Sequence, residues 1–438
     1  MTAAARHRRR CSRRARTRAP FSRLRDFDTL GDDITRAWES AHCEEAAFTD
    51  IAASLLQRSG VLESTSLGDI TKWFFAPHAL PSQALDSFGQ PTLRVYQGRG
   101  FRIELLFWVD VPTAIHQHTA AGAFGVLRGS SFHSEYEFTP AQRVCDEIQI
   151  GTLSLVSAEL LQRGAVRPIR AGRSFVHSLL HLEPPSISVV VRSTSRPTDL
   201  PQWRYMLPGL AVDPFYTEQP LMTQLELLKT LQRAQPSLFY QIALDIVAQR
   251  DFYFAYRVVE KAYQMGGNCA GVDELFRALA LRHAEFAAML EAALREERRA
   301  SSISRHLTHV TNPEHRVLLA LLINAPNRGV VDQAMQACFP GHEPEAKLLA
   351  LIGEMSQNDE PVFGFDNLSL RLLQFAMRGA DLAAVEDVFE RRFGTGHRAL
   401  APLRERWQAI HSESVLAPLL CPPRPAAATG DRELVASR

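Results

Sequence analysis

The spacing of apolar positions along the chain changes character twice. From Leu30 to about Gly60 they recur every three or four residues, as in Phe48, Ile51, Ala52, Leu55 and Leu56, which predicts amphipathic helix. Asp69 to Phe75 continues this helical lead-in until Pro77 and Pro81 break it. Between Leu93 and about Arg192 the period becomes two. Phe101, Ile103, Leu105 and Phe107 alternate with Arg102, Glu104, Leu106 and Trp108. Further strand-like runs lie at 124–127, 131–138, 148–156, 173–179 and 187–192, separated by turn signals such as Gly129-Ser130, Gly164, Ala171-Gly172 and Pro184-Pro185. Many short strands at regular spacing predict a closed β-barrel or sandwich. After about Pro208 the strands are expected to stop. From Leu221 to Leu420 the chain reads as successive short amphipathic helices, with faces such as Leu221, Leu225 and Leu228 or Phe239, Ile242 and Ile246. No fixed-period repeat is visible, so a helical bundle and a solenoid-like stack both remain open.

Composition narrows the class. A chain of 438 residues with 46% hydrophobic and 22% charged residues is that of a globular protein of roughly two or three domains. The formal charge of +1 conceals an asymmetry: residues 1–25 hold ten arginines and no acid, which leaves the remainder at about −9. The Arg/Ala-rich start is expected to be a disordered basic leader, and Cys421 onward, with Pro422, Pro423 and Pro425, a disordered tail. An acidic body argues against nucleic acid as a partner. The six cysteines are scattered without a C-x-x-C pair, as expected in a reducing compartment. The longest apolar runs, such as 317–323, fall short of the roughly 18 residues of a membrane span. A cytoplasmic location without membrane association is expected.

The chemistry concentrates in Ile115-His116-Gln117-His118-Thr119, followed eleven residues after His118 by Gly129. Histidines at i and i+2 of a strand point to the same side of the sheet. If that side is the interior of a barrel, both imidazoles converge. Phe175-Val176-His177 offers a third imidazole on another strand-like run, and a metal bound by His116, His118 and His177 is the expectation. His133 lies on the strand after Gly129, where alternation alone does not fix the side it faces, and a place away from the site is the expectation. In Ser134-Glu135-Tyr136-Glu137-Phe138 one side chain is expected to contact substrate, with Tyr136 taken as the candidate. Groups that hold the second nitrogens of the imidazoles are expected, but the sequence does not name them.

The segment from about 90 to 195 resembles the cupin superfamily and, within it, the thiol dioxygenases typified by cysteine dioxygenase. Gln97-Gly98-Arg99-Gly100, Phe107-Trp108, His116-Gln117-His118 and Val126-Leu127-Arg128-Gly129 carry the first half of the likeness, and Phe175-Val176-His177 with 187–192 the second. The first cupin motif places a glutamate between the H-x-H and the glycine; here Gly122 holds that position. Thiol dioxygenases share this loss and use three histidines only. The resemblance implies Fe(II) as cofactor, a thiol and O2 as substrates, a sulfinate as product, and an arginine, Arg94 or Arg102, as anchor for an anionic group. The family's cysteine near the H-x-H is replaced by Ala123, and its partner tyrosine falls near Val191, which separates this chain from free cysteine as substrate. Three neutral imidazoles leave three positions of an octahedral ion open and bring no charge, so an incoming thiolate is favoured.

The expected architecture is an α+β multidomain chain. A basic leader (1–25) precedes a cupin domain with helical lead-in (26–210), built as a double-stranded antiparallel β-helix. An all-α helical-bundle or solenoid-like domain (211–420) and a tail (421–438) follow. The expected function is iron-dependent oxidation of a thiol, borne by a small molecule, a peptide or a carrier, with the helical domain receiving a bulky substrate or protein partner. The rivals are a non-catalytic cupin scaffold whose helices bind a protein, and a cupin metalloenzyme of other chemistry.

Overall fold

The structure, a computed structural model, describes residues 25–76, 80–83, 88–109, 113–194, 202–216, 219–264, 269–357, 361–394, 400–412 and 414–421. Except for Arg25 and Cys421, the expected leader and tail lie outside these residues.

Four helices come first: α1 (Arg25–Ser40), α2 (Glu45–Arg58), α3 (Val61–Ser64) and α4 (Leu67–Phe74). The fourth opens with a capping box, in which Ser66 accepts from the Asp69 amide and Asp69 accepts from the Ser66 amide. The strands follow as β1 (Thr92–Gln97), β2 (Phe101–Trp108), β3 (Ile115–His118), β4 (Gly122–Arg128), β5 (Ser131–Cys145), β6 (Ile148–Leu161), β7 (Val166–Ile169), β8 (Gly172–His181), β9 (Ser186–Ser193), β10 (Arg204–Met206) and β11 (Leu210–Val212). They form two antiparallel sheets. One runs β1-β2-β9-β4-β7; the other, β10-β11-β6-β5-β8-β3, closes on itself through β3 and β10, where Arg204 pairs with His116. The expectation that strands end near Pro208 is corrected by β11, whose Leu210 pairs with Ile150. Two strands of three residues are too short to register as a period.

The alternation of β2 divides its neighbours. Phe101, Ile103 and Leu105 face the lead-in helices and share a core with Phe27, Ile34, Phe48 and Leu56. Leu106 and Trp108 face the other sheet, in a core with Phe124, Phe175 and Val190. Arg102 and Glu104 share that inner parity, so the polar half of the pattern faces the protein interior rather than water.

The helices after the barrel are α5 (Gln219–Ala234), α6 (Pro236–Gln249), α7 (Phe252–Gln264), α8 (Cys269–Arg282), α9 (Ala284–Ser304), α10 (Pro313–Asn324), α11 (Arg328–Cys338), α12 (Pro344–Ser356), α13 (Asn367–Met377), α14 (Leu382–Phe393), α15 (Leu400–Ser412) and α16 (Ala417–Leu420). Proline in the first turn of α6, α10 and α12 and Asn or Asp caps on α10, α11, α13 and α14 set their starts. They are not hung on a linker. Ile148, Met206, Leu210 and Val212 of the barrel share a core with α5 to α9, and Phe132, Leu180 and Leu182 share one with α10 to α16. The architecture is the expected one, a closed antiparallel β-barrel with a second sheet followed by an all-helical region. The later helices cover the outer face of β5 and β8. No helix among the described residues is long and apolar enough to cross a membrane.

Candidate metal centre

Strand pairing assembles the site. β3 and β8 run antiparallel with His116 opposite His177, so the local i, i+2 pair meets a histidine about sixty residues away on the same inner face. The three rings lie with centroids 4.7, 4.8 and 5.0 Å apart, and one ligand atom from each falls within 4.8 Å of the others. Nε2 of His118 stands 2.8 Å from Nε2 of His177. Two nitrogens each about 2.1 Å from one ion at a right angle would be about 3 Å apart, so this spacing fits neighbouring positions on a metal. His116 holds Nδ1 against the Ala114 carbonyl at 2.8 Å, while its Nε2 is buried without a partner. Burial lowers the His116 imidazole from its ordinary value against the raising effect of that bond. Burial, aided by the neighbouring histidines, holds His118 and His177 well below theirs. Burial thus favours the neutral imidazole, the form in which a metal is bound. An orphaned nitrogen, the close Nε2 pair and the neutral state together fit a transition metal.

Among the described residues, no carboxylate joins the three imidazoles. A Cβ on Gly122 would collide with the Val191 carbonyl oxygen, so a glutamate cannot stand at that position. Gly129 takes φ of +75°, and a Cβ there would meet Ser186 Oγ at 2.7 Å and the Glu183 carbonyl at 2.9 Å, which is why the β4–β5 turn requires glycine.

The imidazoles form the floor of a cavity of about 540 Å³ between the two sheets. Phe88, Trp108, Leu179 and Val190 supply apolar wall, and Arg102 and Arg192 lie on it as well. Both guanidiniums converge on Glu104, whose side chain is 1% exposed. Arg192 donates through Nε at 2.7 Å, whereas Arg102 Nε pairs ionically with the carboxylate at 3.0 Å without hydrogen-bonding geometry. Arg94 joins the same carboxylate at 3.3 Å and also donates to the Ser82 carbonyl. Three cations around one anion leave the wall positive. Burial, with Arg192 alongside, pulls Arg102 below its ordinary value.

Of the residues expected at the site, His116, His118, His177 and Arg102 come together at the cavity. Arg94 stands behind the wall, on the far side of Glu104. Tyr136 points outward from β5: its hydroxyl donates to Asn324 Oδ1 at 2.8 Å, and burial pushes the phenol well above its usual value. Tyr136 and His133 differ in parity, so the outward turn of one is the inward turn of the other. His133 Nε2 lies 3.1 Å from His177 Nδ1, and its Nδ1 lies 3.1 Å from Glu159 Oε1. Glu159 is in turn gripped by Arg167. Ligand atoms of His133, Glu135 and Glu159 also lie within 4.8 Å of one another, but with both ring nitrogens of His133 and the Glu159 carboxylate engaged, this cluster supports the triad rather than a second ion. Arg192, Glu104 and Glu159 were not singled out by sequence. A charged pair inside an apolar strand, Arg102 and Glu104, was the available signal.

No family model and no curated protein matches the chain. Among solved structures it is similar to one from the crystal structures of DMSP lyases, with 14% identity and a TM-score of 0.18 over 25% of this chain and 49% of that one. It is also similar to the capsular polysaccharide assembling protein CapF from Staphylococcus aureus, with 10% identity and a TM-score of 0.18 over 27% of this chain and 32% of that one. The matches span about half and about a third of those two chains. The barrel assignment rests on its own strand order and pairing. Fold and histidine cluster together are compatible with a cupin.

Proposed function

We propose that the protein is a cupin metalloenzyme of the thiol dioxygenase type, binding Fe(II) through His116, His118 and His177. The observation that carries the reading is the triad itself: three converging imidazoles with an unpartnered His116 Nε2, and a glycine where a fourth, anionic ligand would stand. Iron(II), when bound, supplies the redox chemistry by which a thiolate and O2 combine, RS⁻ + O2 giving RSO2⁻. The chain's residues do the rest. Neutral ligands leave the centre positive and receptive to a thiolate. The apolar wall of Phe88, Trp108 and Val190 excludes water from the reacting atoms. Arg102 and Arg192, overcharged relative to Glu104, hold an anionic group of the substrate. A cavity of about 540 Å³ is far larger than a free amino acid needs, which supports a thiol carried on a peptide or other bulky carrier. Cys43, Cys145 and Cys338 are free thiols, in keeping with a cytoplasmic setting.

The test is metal analysis of protein purified anaerobically, beside His116→Ala and His177→Ala variants, followed by oxygen-electrode traces with a panel of small and peptidyl thiols. Near-stoichiometric iron, lost in the variants, with thiol-dependent O2 uptake is the expected result. Iron without uptake would move the reading to another cupin chemistry. No transition metal in any sample would leave the barrel as a scaffold for what the helices bind.

A further inference from the structure

We infer that His133 and Glu159 are positioning residues that hold the His177 ring with its Nε2 lone pair toward the cavity. The inference rests on the metal centre proposed above and concerns what stands behind it. His133 and Glu159 are cross-strand partners on β5 and β6, and on β5's other side Glu135 is opposite His177. Both His133 and His177 are buried, with Phe124 and Phe175 packed beside them. With both rings buried, the direction of each hydrogen bond matters.

Only one direction is consistent. For His177 Nε2 to offer a lone pair, its proton must sit on Nδ1. That N–H donates to His133 Nε2 across 3.1 Å, which places the His133 proton on Nδ1, from where it donates to Glu159 Oε1 across 3.1 Å. Glu159 must then be an ionised acceptor. Partial burial opposes ionisation, but Arg167 and His133 outweigh it and hold the carboxyl at about 2. Arg167 donates Nε to Oε1 at 2.7 Å and Nη2 to Oε2, fixing the carboxylate plane. Turning the His177 ring over would set a C–H against His133 Nε2 and strand an acceptor in the interior. The chain of donors thus selects a tautomer and an orientation of His177 and raises its basicity as a ligand.

The experiment is Co(II) binding to the full-length protein, measured by competition with a chelator and by the visible spectrum of the bound ion. Variants are His133→Leu, which removes the acceptor, His133→Gln, whose amide oxygen reaches the position of Nε2, and Glu159→Gln, at a half-buried site that tolerates the change. Expected are losses of about 10- to 100-fold in Co(II) affinity for His133→Leu and Glu159→Gln. A shifted spectrum in Glu159→Gln and recovery of most of the affinity in His133→Gln are expected with them. Unchanged affinity and spectrum in both His133→Leu and Glu159→Gln would overturn this inference alone. Equal losses in His133→Leu and His133→Gln would overturn it too, by assigning the effect to packing. Absence of Co(II) binding by the unaltered protein would overturn the metal reading, and this inference with it.

Discussion

The Tyr136 hydroxyl donates to Asn324 Oδ1 at 2.8 Å, and Ser178 donates to the same oxygen at 3.2 Å. Asn324 ends α10, whereas Ser178 follows the histidine of β8. One amide therefore joins two barrel strands to the helical region, and Arg316 of α10 adds hydrogen bonds to the His181 carbonyl at 2.8 and 3.1 Å. The strand that carries His177 is held from outside by helices far along the chain.

Asn324→Ala should therefore destabilise the whole protein by about 2–4 kcal/mol, because two buried hydroxyls lose their acceptor at once. Urea unfolding is the measurement. Combined with Tyr136→Phe, the loss should be less than additive, since the second change removes one of the stranded donors.

Among the described residues, Glu104 is the one carboxylate shared by Arg94, Arg102 and Arg192, and it is almost wholly buried. Glu104→Ala leaves those charges facing one another and should cost about 3–5 kcal/mol in the same assay. A loss of unfolding free energy under about half a kcal/mol would show that the arginines find other partners.

Arg102→Leu should raise KM for an anionic thiol by about tenfold or more, with a smaller effect on kcat, because a charge-assisted bond is worth about 1.5–3 kcal/mol and acts on binding. A matched thiol without the anionic group should be nearly indifferent to the change. Steady-state O2 uptake with the two substrates checks this.

His181 stacks on Trp108 with ring centroids 4.7 Å apart, and burial, with Arg316 nearby, pushes its imidazole from 6.5 down to about 3. Its folded value is below its unfolded one, so the unfolded chain takes up the proton first. The contribution to stability is intact above pH 6.5 and is lost as pH falls from there toward about 3, by about 1.4 kcal/mol per pH unit. His181→Phe keeps the stacked ring and removes the proton. Unfolding free energies of the metal-free protein between pH 7 and 5 should show a shallower slope for that variant.

Gly122→Ala should cost about 3 kcal/mol, since the added carbon meets the Val191 backbone rather than a movable side chain. Gly122→Glu should likewise fail to supply a fourth ligand. Thermal melts and metal content of the two variants decide it.

Sequence alone determined what depends on neighbours. Period two in β2 and the H-x-H of β3 are local, so the strands and the shared face of His116 and His118 follow from alternation. The apolar stripes of the later helices are equally local, as are the turns at Gly129 and Gly164. The cupin resemblance extended this to a barrel because spacing between motifs is also a property of the chain in line.

What tertiary structure decided is whatever needs one strand to choose its partner. Pairing of β3 with β8 sets His177 beside His116; pairing of β5 with β6 sets Glu159 behind His133. The inner parity of Arg102 and Glu104, and Arg192 beside them, depends on a second sheet and on helices covering the opposite face. β10 and β11, three residues each, have no pattern of their own and exist through the strands they join. Tyr136 is the clearest case. Its position on β5 was evident, but the side it faces follows from which surface the distant α10 covers, and hydrogen-bond and burial energies between remote segments leave no trace in local spacing.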